Sequence, residues 1–240
     1  MIDIVLPDTR FKHAALLMQM HHDRKRVFVD RLGWSLPSPQ SWLEIDNFDN
    51  EAAVYLVARS PGTGSHAGSV RLLPTTLPHM LGSIFRDLCA TSVPVGEDCW
   101  EVSRLVTSPP ELAGMSVLKL HRLLALGLLE FASLNQIKSY TLVIEAHRVP
   151  ALLSIGWPVV PLGPPRRIMD QELQALQITV EERTARALRS RLRVENAILK
   201  FPRSGRTGAS AGKLTTPEIG RKRTVNSPSR TIVRQRAPSK

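Results

Sequence analysis

The feature that narrows the possible folds most is a strongly apolar helix over 115–134, introduced by the prolines at 109 and 110. It lies between two segments of strand character, "CWEVSRLVT" (99–107) and "KSYTLVIE" (138–145). Upstream, the helical spacing of Leu16, Leu17, Met20, Val27, Val29 and Leu32 predicts a helix over 11–32 that Gly33 ends. A Pro/Ser-rich loop and the acidic, irregular "WLEIDNFDN" follow. "AVYLVARS" and "GSVRLLPT" are then expected as strands around a glycine-containing turn, with a short helical excursion over 79–90. Downstream come a short helix in "HRVPALLSI", strands in "WPVVPLG" and "LQITVEE", and a basic final helix over 184–199. This order fits an α/β fold, a mixed sheet with helices on both faces.

Charge divides the chain into two parts. The net charge is +11, yet residues 202–240 hold ten Lys/Arg against one acid, which leaves 1–201 at about +2. That tail is rich in Ser, Thr, Pro, Gly and Arg and lacks aliphatic periodicity. Such a segment cannot bury enough apolar surface to offset its ordering entropy, so 202–240 is expected to be a disordered extension of a domain over 1–201. Cys89 and Cys99 show no metal or redox spacing and suit a reducing cytoplasm. The amino-terminal "MIDIVLPDTRFKH" lacks the basic-then-apolar order of a secretory signal, and the run around "LLALGLLEFA" is too short to span a bilayer.

Four segments break the apolar rule. Arg24 precedes Phe28 by one helical turn, so the two share a face, with Trp34 just past the helix end. Asp46 and Asp49 stand before a strand. In "WEVSRL", alternation sends Glu101, Ser103 and Leu105 to one face and Trp100, Val102 and Arg104 to the other. Arg71 interrupts "GSVRLLPTT" in the same way. Each charge alone reads as a solvated surface group. Together, Arg24, Arg71 and Arg104 match Asp46, Asp49 and Glu101 in number, and buried charges persist only when paired. One mutually neutralising cluster is the economical reading, and it suits a small zwitterionic substrate.

The order Arg24, Phe28, Trp34, Asp46, Asp49, Arg71, Glu101, Arg104, with "GSVRLLPTTLPHML" and "WEVSR" as its most specific stretches, resembles the acyl-homoserine-lactone synthases over about residues 1–190. The resemblance implies a three-layer sandwich similar to the N-acetyltransferase superfamily, its mixed sheet carrying a V-shaped split between two central strands. It implies an acyltransferase that joins an acyl thioester to the amine of S-adenosylmethionine. Lactonisation then gives an N-acyl-homoserine lactone, a quorum-sensing signal, and 5′-methylthioadenosine. S-adenosylmethionine is a substrate, and neither a cofactor nor a metal is implied. The acyl donor is acyl carrier protein or coenzyme A.

Carried onto this chain, the resemblance makes Glu101, Ser103 and Arg104 catalytic, with Glu101 taking the amine proton directly or through water. Its arginine neighbours are expected to hold Glu101 ionised and lower its pKa. Arg24, Phe28, Trp34, Asp46, Asp49 and Arg71 are expected to bind S-adenosylmethionine. The acyl chain is expected between the strands at 99–107 and 138–145, floored by the long helix and lined by Met80, Phe85, Leu105, Leu123, Leu142, Ile144 and Trp157. Members that take 3-oxoacyl chains often carry a threonine on the second strand. Alternation turns Thr141 away from Leu142 and Ile144, which favours an acyl group without the 3-oxo function. Lys119, Arg122, Lys138, Arg148, Arg166 and Arg167 are the cations available to an acidic carrier protein.

Three rivals remain. An N-acetyltransferase-like enzyme using acyl-CoA without lactonisation calls for a Gly-rich phosphate turn, whereas "TSPPELAGMS" offers only Gly114. A nucleic-acid-binding protein acting through the tail has neither a helix-turn-helix nor a zinc pattern, and the near-neutral body gives it no footprint. A synthase-like binder without turnover is disfavoured by the full set of charged positions.

Overall fold

The computed structural model describes residues 1–33, 42–168 and 170–201. Trp34 and the tail at 202–240 lie outside the described residues. The strands are β1 (Ile2–Val5), β2 (Val54–Arg59), β3 (His66–Pro74), β4 (Cys99–Thr107), β5 (Ser139–Glu145), β6 (Val159–Pro161), β7 (Arg166–Ile168), β8 (Gln171–Thr179) and β9 (Leu199–Lys200). They form one mixed sheet in the order β6-β8-β5-β4-β3-β2-β1-β9, with β7 paired to β8. Among the described residues only β4–β5 and β1–β9 run parallel. The helices are α1 (Ala14–Arg24), α2 (Met80–Ser83), α3 (Pro110–Ala113), α4 (Val117–Asn135), α5 (Val149–Leu153) and α6 (Glu182–Leu192).

Alternation along the strands builds two cores. Ile2, Ile4, Val54, Leu56, Ala58, Val70 and Leu72 face α4 and α6, whereas Val5, Tyr55, Val57 and Leu73 face Leu16 and Met20 of α1. The long helix is capped by Ser116, which accepts from Lys119 N–H, and ends at Gln136 in the left-handed region. It lies close on the sheet. A Cβ added to Gly127 would stand 2.7 Å from Ile2 Cδ1, and one on Gly68 2.9 Å from Leu120 Cδ2. Among the described residues no helix is long and apolar enough to cross a membrane.

β4 and β5 pair only at Cys99–Ser139, Trp100–Tyr140 and Glu101–Thr141. Beyond that point β4 continues along β3 to Thr107 while β5 continues along β8 to Glu145, so the two strands part. This is the V-shaped split between two central strands that the resemblance implies.

Several elements differ from the sequence reading. The helix expected over 11–32 is three pieces: a tight turn at Pro7–His13, α1, and a widened turn at Lys25–Arg31 in which Leu32 N–H reaches Val27 O, five residues back. "IDIV" at the amino terminus is a buried strand, short enough to escape a periodicity argument. β8 begins at Gln171, and β7 precedes it as a short hairpin partner. The final helix stops at Leu192, where Arg193 takes the left-handed conformation, and the chain runs on to β9 beside β1.

Candidate active site

Six ionised side chains close a ring on the α1 face of the sheet. Going round, Arg24 meets Glu44, Glu44 meets Arg104, Arg104 meets Asp46, Asp46 meets Arg71, Arg71 meets Asp49, and Asp49 returns to Arg24. Arg24 grips Asp49 with both terminal nitrogens at 2.8 Å. Arg71 Nη1 lies 2.6 Å from Asp46 and 2.9 Å from Asp49, and its Nε donates to Ser103 Oγ at 3.1 Å. Arg104 Nε donates to Glu44 Oε1 at 3.1 Å. Three acids and three arginines leave the ring neutral, the condition under which buried charge is tolerated.

Local structure delivers each member. The widened turn carries Phe28 under Arg104, with the guanidinium carbon 5.3 Å from the ring centroid. The acids arrive on a loop that folds on itself: Asp46 N–H donates to Asp49 Oδ2, and Asp49 N–H donates to Asp46 O. Arg10 ties that loop down through the carbonyls of Asn50 and Ala53, and the Tyr55 hydroxyl donates to Asp49 Oδ1 at 2.8 Å. Burial would raise the Asp49 pKa, but the Arg24 and Arg71 guanidiniums overcome it and hold the carboxyl far below the usual range.

Two charged residues sit where alternation does not put them. Arg104 was assigned to the face opposite Glu101, yet it joins the ring. A register shift between Ser69 and Arg71 bulges β4, and Arg104 takes a positive φ of 52°, which swings its side chain back to the α1 face. Glu101 was placed in the ring between arginines, and it is beside the ring instead. Its carboxylate accepts from the backbone N–H groups of Met80 (3.0 Å) and Leu81 (2.6 Å), and it makes no ion pair within 4 Å among the described residues. Burial therefore pushes the Glu101 pKa up, against those N–H groups, where the sequence reading expected it lowered. Glu44, which the sequence reading passed over, takes the place in the ring and is wholly buried. The signal available was a third acid in "LEIDNFD".

The seven residues expected along the acyl chain do not form one lining. Leu123 and Trp157 are buried in the α4 core, with Leu142 packed against it. Met80 and Phe85 lie on the other face, Phe85 against Leu81 and Leu88. Leu105 is 45% exposed, and Ile144 is half-buried. The reason is the sheet itself, which separates neighbours in sequence onto two faces. It also places Thr141 in register with Glu101, on the Glu101 side, with a buried Oγ1 that has no hydrogen-bond partner among the described residues.

The autoinducer synthase family model matches residues 8–188. An acyl-homoserine-lactone synthase of Rhizobium etli is 34% identical over 178 residues, 72% of this chain and 83% of its own. One from Ralstonia solanacearum is 45% identical over 85 residues, 35% of this chain, and the match spans only 41% of that relative's length. Among solved structures, the CoA-dependent acyl-homoserine lactone synthase BjaI with S-adenosylmethionine and isopentyl-CoA aligns at a TM-score of 0.76. That alignment has 26% identity and covers 84% of this chain and 93% of the other. A putative N-acetyltransferase of Lactobacillus plantarum, at 14% identity and a TM-score of 0.50, shares the fold alone; the match covers 75% of this chain and 99% of the other. The ring, the neighbouring carboxylate, the strand split and these matches agree: the chain belongs to the autoinducer synthase family, the acyl-homoserine-lactone synthases.

Proposed function

We propose that the protein joins an acyl thioester to the amine of S-adenosylmethionine and closes the product to an N-acyl-homoserine lactone, releasing 5′-methylthioadenosine. The observation that carries this reading is a neutral ring of paired charges next to a carboxylate, Glu101, that makes no ion pair among the described residues, at the point where β4 and β5 separate. Asp46 is the ring acid most open to solvent and is the natural contact for the substrate ammonium. Glu101, kept basic by burial, takes the proton the amine must lose before it attacks. The amine nitrogen then bonds to the thioester carbonyl carbon and the thiol leaves. Backbone N–H groups along the parted strands are the donors for the oxyanion, with Ser103 held near them by Arg71. Finally a carboxylate oxygen bonds to the substrate's own γ-carbon, the C–S bond breaks, and the sulfonium leaves as a neutral thioether.

The acyl donor in this reading is a phosphopantetheine thioester. Of the six cations named as candidate contacts, Lys138 pairs with Asp98, Arg148 with Glu145 and Arg167 with Asp170. Lys119 and Arg122 line an open cavity of about 320 Å³ at the start of α4, together with Arg191 and Arg193, which the sequence reading did not name. That concentration of positive charge favours an anionic donor. The domain is assigned to 1–201, and the extension at 202–240 is dispensable for synthesis. The enzyme works in the cytoplasm, where its substrates are made.

The test is direct. Purified protein, full-length and truncated after residue 201, is given S-adenosylmethionine with acyl-CoA or acyl carrier protein, and products are read by mass spectrometry. A homoserine-lactone fragment from both proteins is expected, and the parent mass identifies the acyl group. An open-chain N-acyl product, or none, overturns the reading.

A further inference from the structure

Met80 joins the two halves of the site. Its backbone N–H holds Glu101, while its sulfur accepts from Arg71 Nη2 at 3.1 Å and from Arg104 Nη1 at 3.4 Å. Arg24 gives N–H groups to Glu44 and Asp49, Arg71 to Asp46, Asp49 and the Ser103 hydroxyl, its Nη2 also reaching Asp46 Oδ2 at 3.2 Å, and Arg104 to Glu44 and Asp46. A thioether is a weak acceptor, and a guanidinium gains far more from an anionic oxygen. Two cationic N–H groups from different strands thus converge on one of the poorest acceptors a side chain can offer.

We propose that the Met80 thioether stands where the carboxylate of S-adenosylmethionine binds, as a displaceable stand-in for it. The inference rests on the function proposed above and assigns the end of the substrate that the ring acids do not. Charge supports it. The ring is neutral, so it accepts a zwitterion without net cost only if the ammonium goes to an acid and the carboxylate to arginine. Asp46 serves the first, and the Arg71–Arg104 pair facing Met80 serves the second. Methionine is unbranched and adaptable, so its side chain can withdraw while its backbone keeps hold of Glu101. A carboxylate fixed on two guanidiniums is also a weak nucleophile, which keeps lactone closure behind N-acylation. Met80 is a positioning residue in this scheme, and it is removed from the acyl-chain lining to which the sequence reading gave it.

Two substitutions of similar volume push in opposite directions. Met80→Leu removes the acceptor, so the carboxylate displaces nothing, and the dissociation constant for S-adenosylmethionine should fall by about two- to five-fold. Met80→Gln supplies a strong carbonyl acceptor that competes with the carboxylate, and the constant should rise by about five-fold or more. Decarboxylated S-adenosylmethionine, which keeps the sulfonium and an amine, should bind each variant as it binds the parent. Calorimetry with both probes reads the ratio, and thermal melts confirm folding. If Met80→Gln fails to fold, the ratio in Met80→Leu decides. A ratio unchanged from the parent, or a loss confined to the KM for the acyl donor, overturns the proposal. A parent protein that binds neither probe and makes no lactone overturns the functional reading itself, so the two failures are distinguishable.

Discussion

Asp49, on the loop before β2, and Glu101, on β4, are buried carboxylates in one site, and their protons behave in opposite ways. Asp49 has two guanidiniums and a tyrosine hydroxyl on its oxygens, and its pKa is driven far down. Glu101 has two backbone N–H groups and, among the described residues, no ion pair within 4 Å, and burial sends its pKa up. The difference separates structure from chemistry. A carboxylate held so firmly as an anion is a poor proton acceptor, whereas one whose charge is only partly compensated is poised to take a proton. The ring is an anchor, and the acid just outside it is the candidate base.

Breaking the ring should produce the largest effect. Arg71→Ala leaves Asp46 and Asp49 facing each other across a buried gap. Asp46 keeps Arg104 and Asp49 keeps Arg24, but the ring is left with three acids to two arginines, and an uncompensated charge in a desolvated place costs about 3–5 kcal/mol. The urea midpoint should drop accordingly and lactone synthesis should fall by about 10³-fold or more. A variant that keeps both would show that the ring neither supports the fold nor binds substrate.

Glu101→Gln should separate the two carboxylates cleanly, lowering turnover by about 10²–10⁴-fold with the fold intact. Because the folded pKa is raised, the contribution of Glu101 to stability is present below its unfolded pKa and lost as pH rises through the folded one. The Gln variant should therefore be at least as stable as the parent at neutral pH. Activity of the parent should climb with pH through a limb above the ordinary carboxylate range, and the variant should lack that limb. Asp49 has the opposite sign: its depressed pKa gives stability above its unfolded value, lost only as pH falls toward strong acid. Chemical denaturation from pH 3 to 8 on Asp49→Asn and Glu101→Gln reads both slopes, and slopes of equal sign would dissolve the contrast.

How much of this the sequence could reveal follows from local versus non-local causes. The strand read in "CWEVSRLVT" is β4 to the residue, and the long helix differs from the expected 115–134 by one or two residues at each end. β1 was not legible, because four residues of "IDIV" gain their identity only between β2 and β9. The charged residues of the ring could be counted but not paired. Arg104 is turned by a bulge, and a bulge inverts the parity on which the alternation argument depends. Glu101 and Glu44 then exchange places, because which acid meets an arginine is settled by a backbone irregularity sixty residues from Glu44.

Glu44 sharpens the comparison at moderate cost. Glu44→Gln keeps the volume but removes the charge between Arg24 and Arg104 and turns a donor toward one guanidinium. A loss of about 1–3 kcal/mol is expected, with a rise in KM for S-adenosylmethionine and little change in the pH limb assigned to Glu101. A shifted limb instead would mean that the ring tunes the base directly.

Thr141 should give the smallest effect and the most local information. It sits in register with Glu101, fully buried, with a hydroxyl that has no partner among the described residues. A buried polar group left unsatisfied destabilises, and replacing it with a methyl of the same shape relieves that cost. Thr141→Val should therefore raise stability by about 1 kcal/mol. If the hydroxyl is there to meet the donor, the same substitution should lower kcat/KM for thioesters with an oxygen at the 3-position while sparing unsubstituted chains. That outcome reverses the acyl preference inferred from alternation, because Thr141 lies on the face of the base and Leu142 on the face of the long helix. A variant less stable than the parent and indifferent to the acyl group would show instead that the hydroxyl is satisfied within the fold.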